Sequence, residues 1–161
     1  MIKFKNGEEL IITTESHFHD DADIDILKLA AESIITKGLE NIKKETQFIF
    51  NIGTTNVVQT DPEDKIVWAR RKGRKKFSRF VMNKFPKQTN FFTVVAKKID
   101  NNVYKLITCY RGKLSPPELK PTGNSDRSII FWKKHAFAFG SEEIEGEILS
   151  YNPYKFSTDV L

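Results

Sequence analysis

Apolar positions follow several periods along this chain. Residues 2–4 and 9–14 are short apolar-rich runs on either side of Asn6-Gly7, a turn dipeptide that predicts a hairpin. Beyond them Ile24, Leu27, Ala31, Ile34 and Ile35 recur at helical spacing, which predicts a helix over about residues 21–37. Asp20, Asp21 and Asp23 crowd its expected N-terminus, where carboxylates cap free amides and suit the helix dipole. Gly38 is the expected C-cap, and 39–45 extend the helix by a further turn or two. After that the period becomes strand-like. Strands are predicted over 46–52, 56–60 and 65–71, with Gly53 and Asp61-Pro62 as breaks.

Residues 71–85 (RKGRKKFSRFVMNKF) are ambiguous, because Phe77, Phe80, Val81 and Phe85 would also line one face of a short helix. The clearest strands are 90–99 and 103–112, joined by the turn Asp100-Asn101-Asn102. Three prolines fix a loop over 113–124. Residues 125–140 open with a Ser/Asp cap and place Ile129, Trp132, Ala136 and Phe139 on one helical face. Residues 141–161 read as an acidic tail or a final strand. The order of hairpin, helix, antiparallel strands and helix predicts a single α+β domain over 1–161.

Composition adds constraints. The 161 residues suffice for one ordinary core, and 13 Phe favour a sheet-based one. The lone Cys109 rules out a disulfide within the chain and fits a reducing, cytoplasmic setting. No apolar run approaches the roughly 20 residues that cross a bilayer, and the N-terminus lacks the apolar core of a signal peptide. Nucleotide-binding Gly-rich loops, paired Cys motifs, HExxH and GxSxG are absent, so no cofactor is expected.

Charge changes the picture most. The net charge of +5 conceals three blocks. Residues 1–64 hold 6 Lys/Arg against 13 Asp/Glu, and residues 114–161 hold 5 against 7. Residues 65–113 hold 15 against one acid, Asp100. Such a block is the footprint expected of a nucleic-acid contact. Its densest run comprises Arg70, Arg71, Lys72, Arg74, Lys75, Lys76 and Arg79, interleaved with Trp68, Phe77, Ser78 and Phe80. Cations among aromatics permit phosphate contact together with base stacking. A solvated basic loop would look the same.

The runs VWARRKGRKKFSRFV, TNFFTVV, YKLITCYRGKLSPPE and SIIFWKKHA together resemble small phage- and toxin-associated proteins of the barnase–EndoU–colicin–RelE ribonuclease superfamily. The similar stretch covers about residues 65–136, under half of the chain. The resemblance implies an N-terminal helix before a curved antiparallel sheet, with the C-terminal helix packed on it. It implies RNA cleavage without a metal by side chains on the open sheet face. An acidic inhibitor or antitoxin-like protein is then a plausible partner besides RNA.

Cleavage through the RNA's own 2′-hydroxyl needs a group to take its proton, fixed cations at the phosphorane and a proton for the leaving oxygen. Histidine titrates in the right range, and the arginine fork matches phosphate. His135 follows Lys133-Lys134 inside the resemblance and is the first candidate for acid or base. It could equally be a histidine that ends a helix by packing or by capping carbonyls. Arg74 and Arg79 flank the Ser-Arg-Phe element and are the candidate phosphate cations, with Arg70, Arg71, Lys72, Lys75, Lys76, Ser78 and Arg111 as binding residues. Thr108 and Tyr110 alternate to one face of their strand, with Ile107, Cys109 and Arg111 on the other. They are candidates for bonding phosphate or ribose, or they simply face solvent. His17 and His19 fit the rim of such a site better than a metal centre. The rivals to catalysis are a non-catalytic RNA- or DNA-binding module and a protein whose basic face meets an acidic partner, the chain's own acidic tail included.

Overall fold

A computed structural model describes residues 1–154. The chain is mixed α and β, with two helices among the described residues and most of the ordered backbone in open sheets. Where one domain was expected, it divides into two compact units, each assembled from two separate stretches. The first holds Met1–Thr55 and Gln88–Leu114, and the second Asn56–Lys87 and Ser115–Leu161.

The first unit is built on a five-stranded sheet. Its strands are β1 (Ile2–Lys3), β2 (Glu9–Ile11), β3 (Asn41–Gln47), β9 (Phe91–Asp100) and β10 (Val103–Arg111), in spatial order β1-β2-β10-β9-β3. Strands β2 and β10 run parallel and the other pairs antiparallel, so the sheet is mixed. β4 (Gly53–Thr55) and β8 (Lys87–Thr89) form a separate short ribbon. The helix α1 (Ala22–Ala31) sets Leu27, Ala30 and Ala31 into a core with Phe92, Val94, Ala96, Leu106 and Cys109. Asn102 turns the β9–β10 hairpin at φ 61, a left-handed conformation that Asn tolerates better than most residues. A bulge at Ile107 lets Leu106 and Cys109 both face the core opposite Ala96 and Val94.

The second unit carries the other five-stranded sheet. Strands β5 (Val57–Gln59), β6 (Ile66–Arg71), β7 (Phe77–Val81), β11 (His135–Ala138) and β12 (Ile144–Leu149) lie in the order β12-β6-β7-β11-β5. β11 runs parallel to β7 and antiparallel to β5. The helix α2 (Asp126–Lys134) starts where the Ser125 hydroxyl accepts the Ser128 amide at 3.1 Å. Its Trp132 stacks on Phe137 at 5.6 Å and donates its indole N–H to the Pro116 and Pro117 carbonyls.

Three local expectations differ from the structure, and one left open between helix and strand is decided. The first helix ends at Ala31, because Ile34 and Thr36, both β-branched, turn inward instead while Ile35 stays exposed. Ile34 is buried, and the Thr36 hydroxyl donates to Asn6 and Glu8. Residues 41–47 are accordingly strand β3, and Gly38 caps no helix. Residues 77–81 are a central strand, and Phe85, placed on the would-be helical face, is 83% exposed. The second helix stops at Lys134, since His135 to Ala138 alternate as a strand between β5 and β7. Of the acidic tail, residues 144–149 are the edge strand β12 and residues 155–161 lie outside the described residues.

Candidate nucleic-acid interface

The fold redistributes the basic block. Ten of its 15 cations belong to the second unit and five to the first. The first unit is balanced overall, with 11 Lys/Arg against 11 Asp/Glu, while the second has 15 against 10. The second unit is therefore the one with positive charge to offer an anion.

Its most cationic element is the turn between β6 and β7. Strand pairing aligns Arg70 with Phe77, which leaves residues 71–76 to reverse the chain. Gly73 takes φ 79 there, which a side chain would resist. Lys72, Arg74, Lys75 and Lys76 are all exposed on this turn. Lys72 makes a loose ion pair with Glu143 at 3.5 Å. The Gly73 amide donates to Glu145 Oε2 at 2.9 Å.

The arginines on the strands proper are held by partners within the chain. Arg71 is paired with Glu118 and, at 3.8 Å, with Glu142, and its guanidinium lies 4.4 Å over the Phe137 ring. Ser78 is buried and donates to Glu118 Oε1 at 2.6 Å. Arg70 stacks over Phe77, with its Nε buried and unbonded. It also runs close over Gly146, where an added Cβ would stand 2.6 Å from Arg70 Nη2. Arg79 is 9% exposed, and its Nη1 donates to Thr60 Oγ1 at 3.1 Å and to the His135 carbonyl at 3.0 Å. Burial pulls its guanidinium below the ordinary arginine range, and the Asp64 charge opposes that shift. The physical reason is common to the three arginines. They lie on inner strands of the sheet, where a cation is kept only against a carboxylate, a carbonyl or an aromatic face.

His135 sits at the junction of α2 and β11. Its Nδ1 lies 2.9 Å from the Phe131 carbonyl, and the two rings stack at 3.9 Å with 3° between planes. A carbonyl can only accept, so Nδ1 carries a proton, and in the neutral ring the lone pair falls on Nε2. The helix-ending geometry and a ring held by Phe131 are therefore both present in one residue.

Thr108 and Tyr110 belong to the first unit, apart from His135, Arg74 and Arg79 in the division of the chain. Both point away from Cys109, as alternation demands. His17 docks beside Thr108 as a one-residue bridge, its amide donating to Ile107 and its carbonyl accepting from Cys109. Arg111 turns to the α1 face of the sheet and differs from its expected role. Its Nε lies 3.0 Å from Oδ1 of Asp23, a carboxylate only 1% exposed, and Asp20 adds a second contact at 3.7 Å. The Nε–Oδ1 contact is a charge pair without hydrogen-bond alignment. The Asp23 carboxylate does accept the His19 amide at 3.2 Å. Gly53 makes room for this guanidinium, since a Cβ there would meet Arg111 Nη1 at 2.6 Å. Burial, with Asp23 nearby, pushes the Cys109 thiol up to about 12, so it is an inert core residue.

Glu118, Glu142, Glu143 and Glu145 were not singled out by pattern, yet they decide which cations stay free. Glu118 is the only acid between Asp100 and Asp126, which was the available signal. Among the described residues no group of three or more His, Cys, Asp or Glu side chains is arranged to hold a metal ion, and no helix is long and apolar enough to cross a membrane. No family model matches the chain, and neither do any curated protein or solved structure.

Proposed function

We propose that the protein is an endoribonuclease of the metal-independent kind, working from its second unit. The observation that carries this reading is His135. Its ring is immobilised by Phe131 with Nε2 as the proton acceptor, in the same unit as the exposed cations Lys72, Arg74, Lys75 and Lys76. In this scheme the turn cations hold the RNA backbone and His135 Nε2 takes the 2′-hydroxyl proton; the 2′-oxygen bonds to the adjacent phosphorus as the bond to the 5′-oxygen breaks, and water protonates the leaving oxygen. Arg79 is a positioning residue, because it holds the His135 main chain. The resemblance of the sequence over about residues 65–136 to the barnase–EndoU–colicin–RelE superfamily supports the same reaction class.

The test is labelled RNA incubated with the protein in EDTA. Fragments ending in a cyclic phosphate are expected, and His135→Ala should slow their formation by about 10²–10⁴-fold, the span of general acid–base catalysis. Unchanged cleavage by that variant would remove His135 from the role.

A second reading is a binding module without catalysis. It is favoured by the internal pairing of Arg71, Ser78, Arg79 and Arg111, which leaves few fixed cations for a phosphorane. Intact RNA together with a salt-sensitive gel shift would select it.

A further inference from the structure

One short acidic segment makes three contacts with one basic turn. Glu142 reaches Arg71 at 3.8 Å, Glu143 reaches Lys72 at 3.5 Å, and Glu145 accepts the Gly73 amide at 2.9 Å. Edge strand β12 supplies Glu145, which is opposite Arg70 in the register, and the strand bulges immediately afterwards at Gly146. The Gly73 amide is a main-chain donor in a tight turn with positive φ, flanked by cations. That combination is what binds phosphate oxygens in turn-built anion sites. Here the acceptor is a carboxylate of the same chain.

We infer that the Lys72–Gly73 turn is a phosphate site, and that Glu143 and Glu145 occupy it as internal substitutes for the phosphates of a bound RNA. The inference rests on the RNA reading above and adds a regulatory element to it. Both pairs are displaceable. Lys72 and Glu143 are 73% and 77% exposed, and exposed pairs of this kind are weak and screened by salt. A phosphodiester would replace the carboxylates at Lys72 Nζ and at the Gly73 amide without any unfolding of β12, whose ladder to β6 also runs through Ile148 and Leu149. Glu142 stays in place, because it is mostly covered and belongs to the Arg71–Glu118 cluster. The acidic edge thus sets a threshold that selects ligands able to offer several phosphates together.

The experiment titrates a fluorescent, 2′-O-methylated single-stranded RNA, which lacks the attacking hydroxyl, across a range of salt concentrations. The paired substitution Glu143→Gln with Glu145→Gln should tighten binding severalfold. It should also steepen the salt dependence by about 0.7 in log–log slope, for one lysine released to a single strand. Adding Lys72→Gln should abolish that gain. Glu147→Gln is the control, an exposed acid on the same strand with no hydrogen bond or ion pair to the turn among the described residues. Equal gains from Glu147→Gln would mean general charge repulsion and would overturn the inference. Unchanged or weaker binding by the double variant would overturn it as well, while leaving RNA binding standing. Absence of salt-sensitive binding in the parent and in every variant would instead defeat the RNA reading itself. Tryptophan emission checks folding throughout, since Trp68 and Trp132 both lie in the second unit.

Discussion

The two units treat charge in opposite ways. The first is balanced in Lys/Arg and Asp/Glu, yet it places an ion pair, Asp23 with Arg111, against its hydrophobic core. The second has a clear excess of cations. It ties the inner ones to Glu118, Glu142 and aromatic rings, and leaves the cations of the β6–β7 turn exposed. The contrast teaches that a run of like charge in a sequence is not a surface of like charge. Carboxylates from distant segments decide how much of the run survives folding.

The most direct way to break this contrast is Arg111→Ala. It strands a carboxylate that is almost fully covered, and should lower stability by about 3–5 kcal/mol. Denaturation followed by ellipticity measures it, and a loss under about 1 kcal/mol would show that the pair does not hold α1 to β10. Trp132→Ala probes the other unit, whose core rests on aromatic stacking rather than ion pairing. A loss of about 3–5 kcal/mol is expected, with Trp68 emission as the reporter.

Alkaline pH sharpens the comparison at lower amplitude. The Cys109 thiol titrates near 9 when unfolded and near 12 when folded. The folded state therefore binds the proton more tightly. Its contribution is complete below about pH 9 and is lost as pH rises toward 12. The loss is of order 2–4 kcal/mol, and Cys109→Ala should flatten that limb of the stability curve relative to the parent. At the small end, Lys75→Gln with Lys76→Gln should change stability by no more than about 0.5 kcal/mol while weakening RNA retention, because neither lysine is buried. A larger stability change would mean that the turn is part of the packing after all.

Legibility in the sequence followed locality. The β9–β10 hairpin, β6 and the proline-fixed loop could be read because alternation and turn residues act within a few positions. The end of α1 was missed because Ile34 and Thr36 answer to the N-terminal hairpin about thirty positions away, through Lys5, Asn6 and Glu8. The strand at His135 was missed because Ala136 and Phe139 also fit a helical stripe, and only pairing with β5 and β7 decides between periods. Among candidate site residues, the exposed turn was evident from charge alone. The fate of Arg71 was not, since its partner Glu118 lies 47 positions on.

The alternating assembly of the units also governs how the protein can be born. The parallel pairing of β2 with β10 joins Glu9 to Val103, so the opening strands of the first unit leave the ribosome long before their neighbour exists. By then the segment 56–87 has been synthesised, and it in turn waits for 115–154 to complete its own sheet. No simple truncation at either end can release one unit free of segments of the other. A pause once Leu114 has left the ribosome should trap a finished first unit carrying a β6–β7 hairpin without its outer strands, whose basic turn is then exposed before the acidic edge strand has emerged.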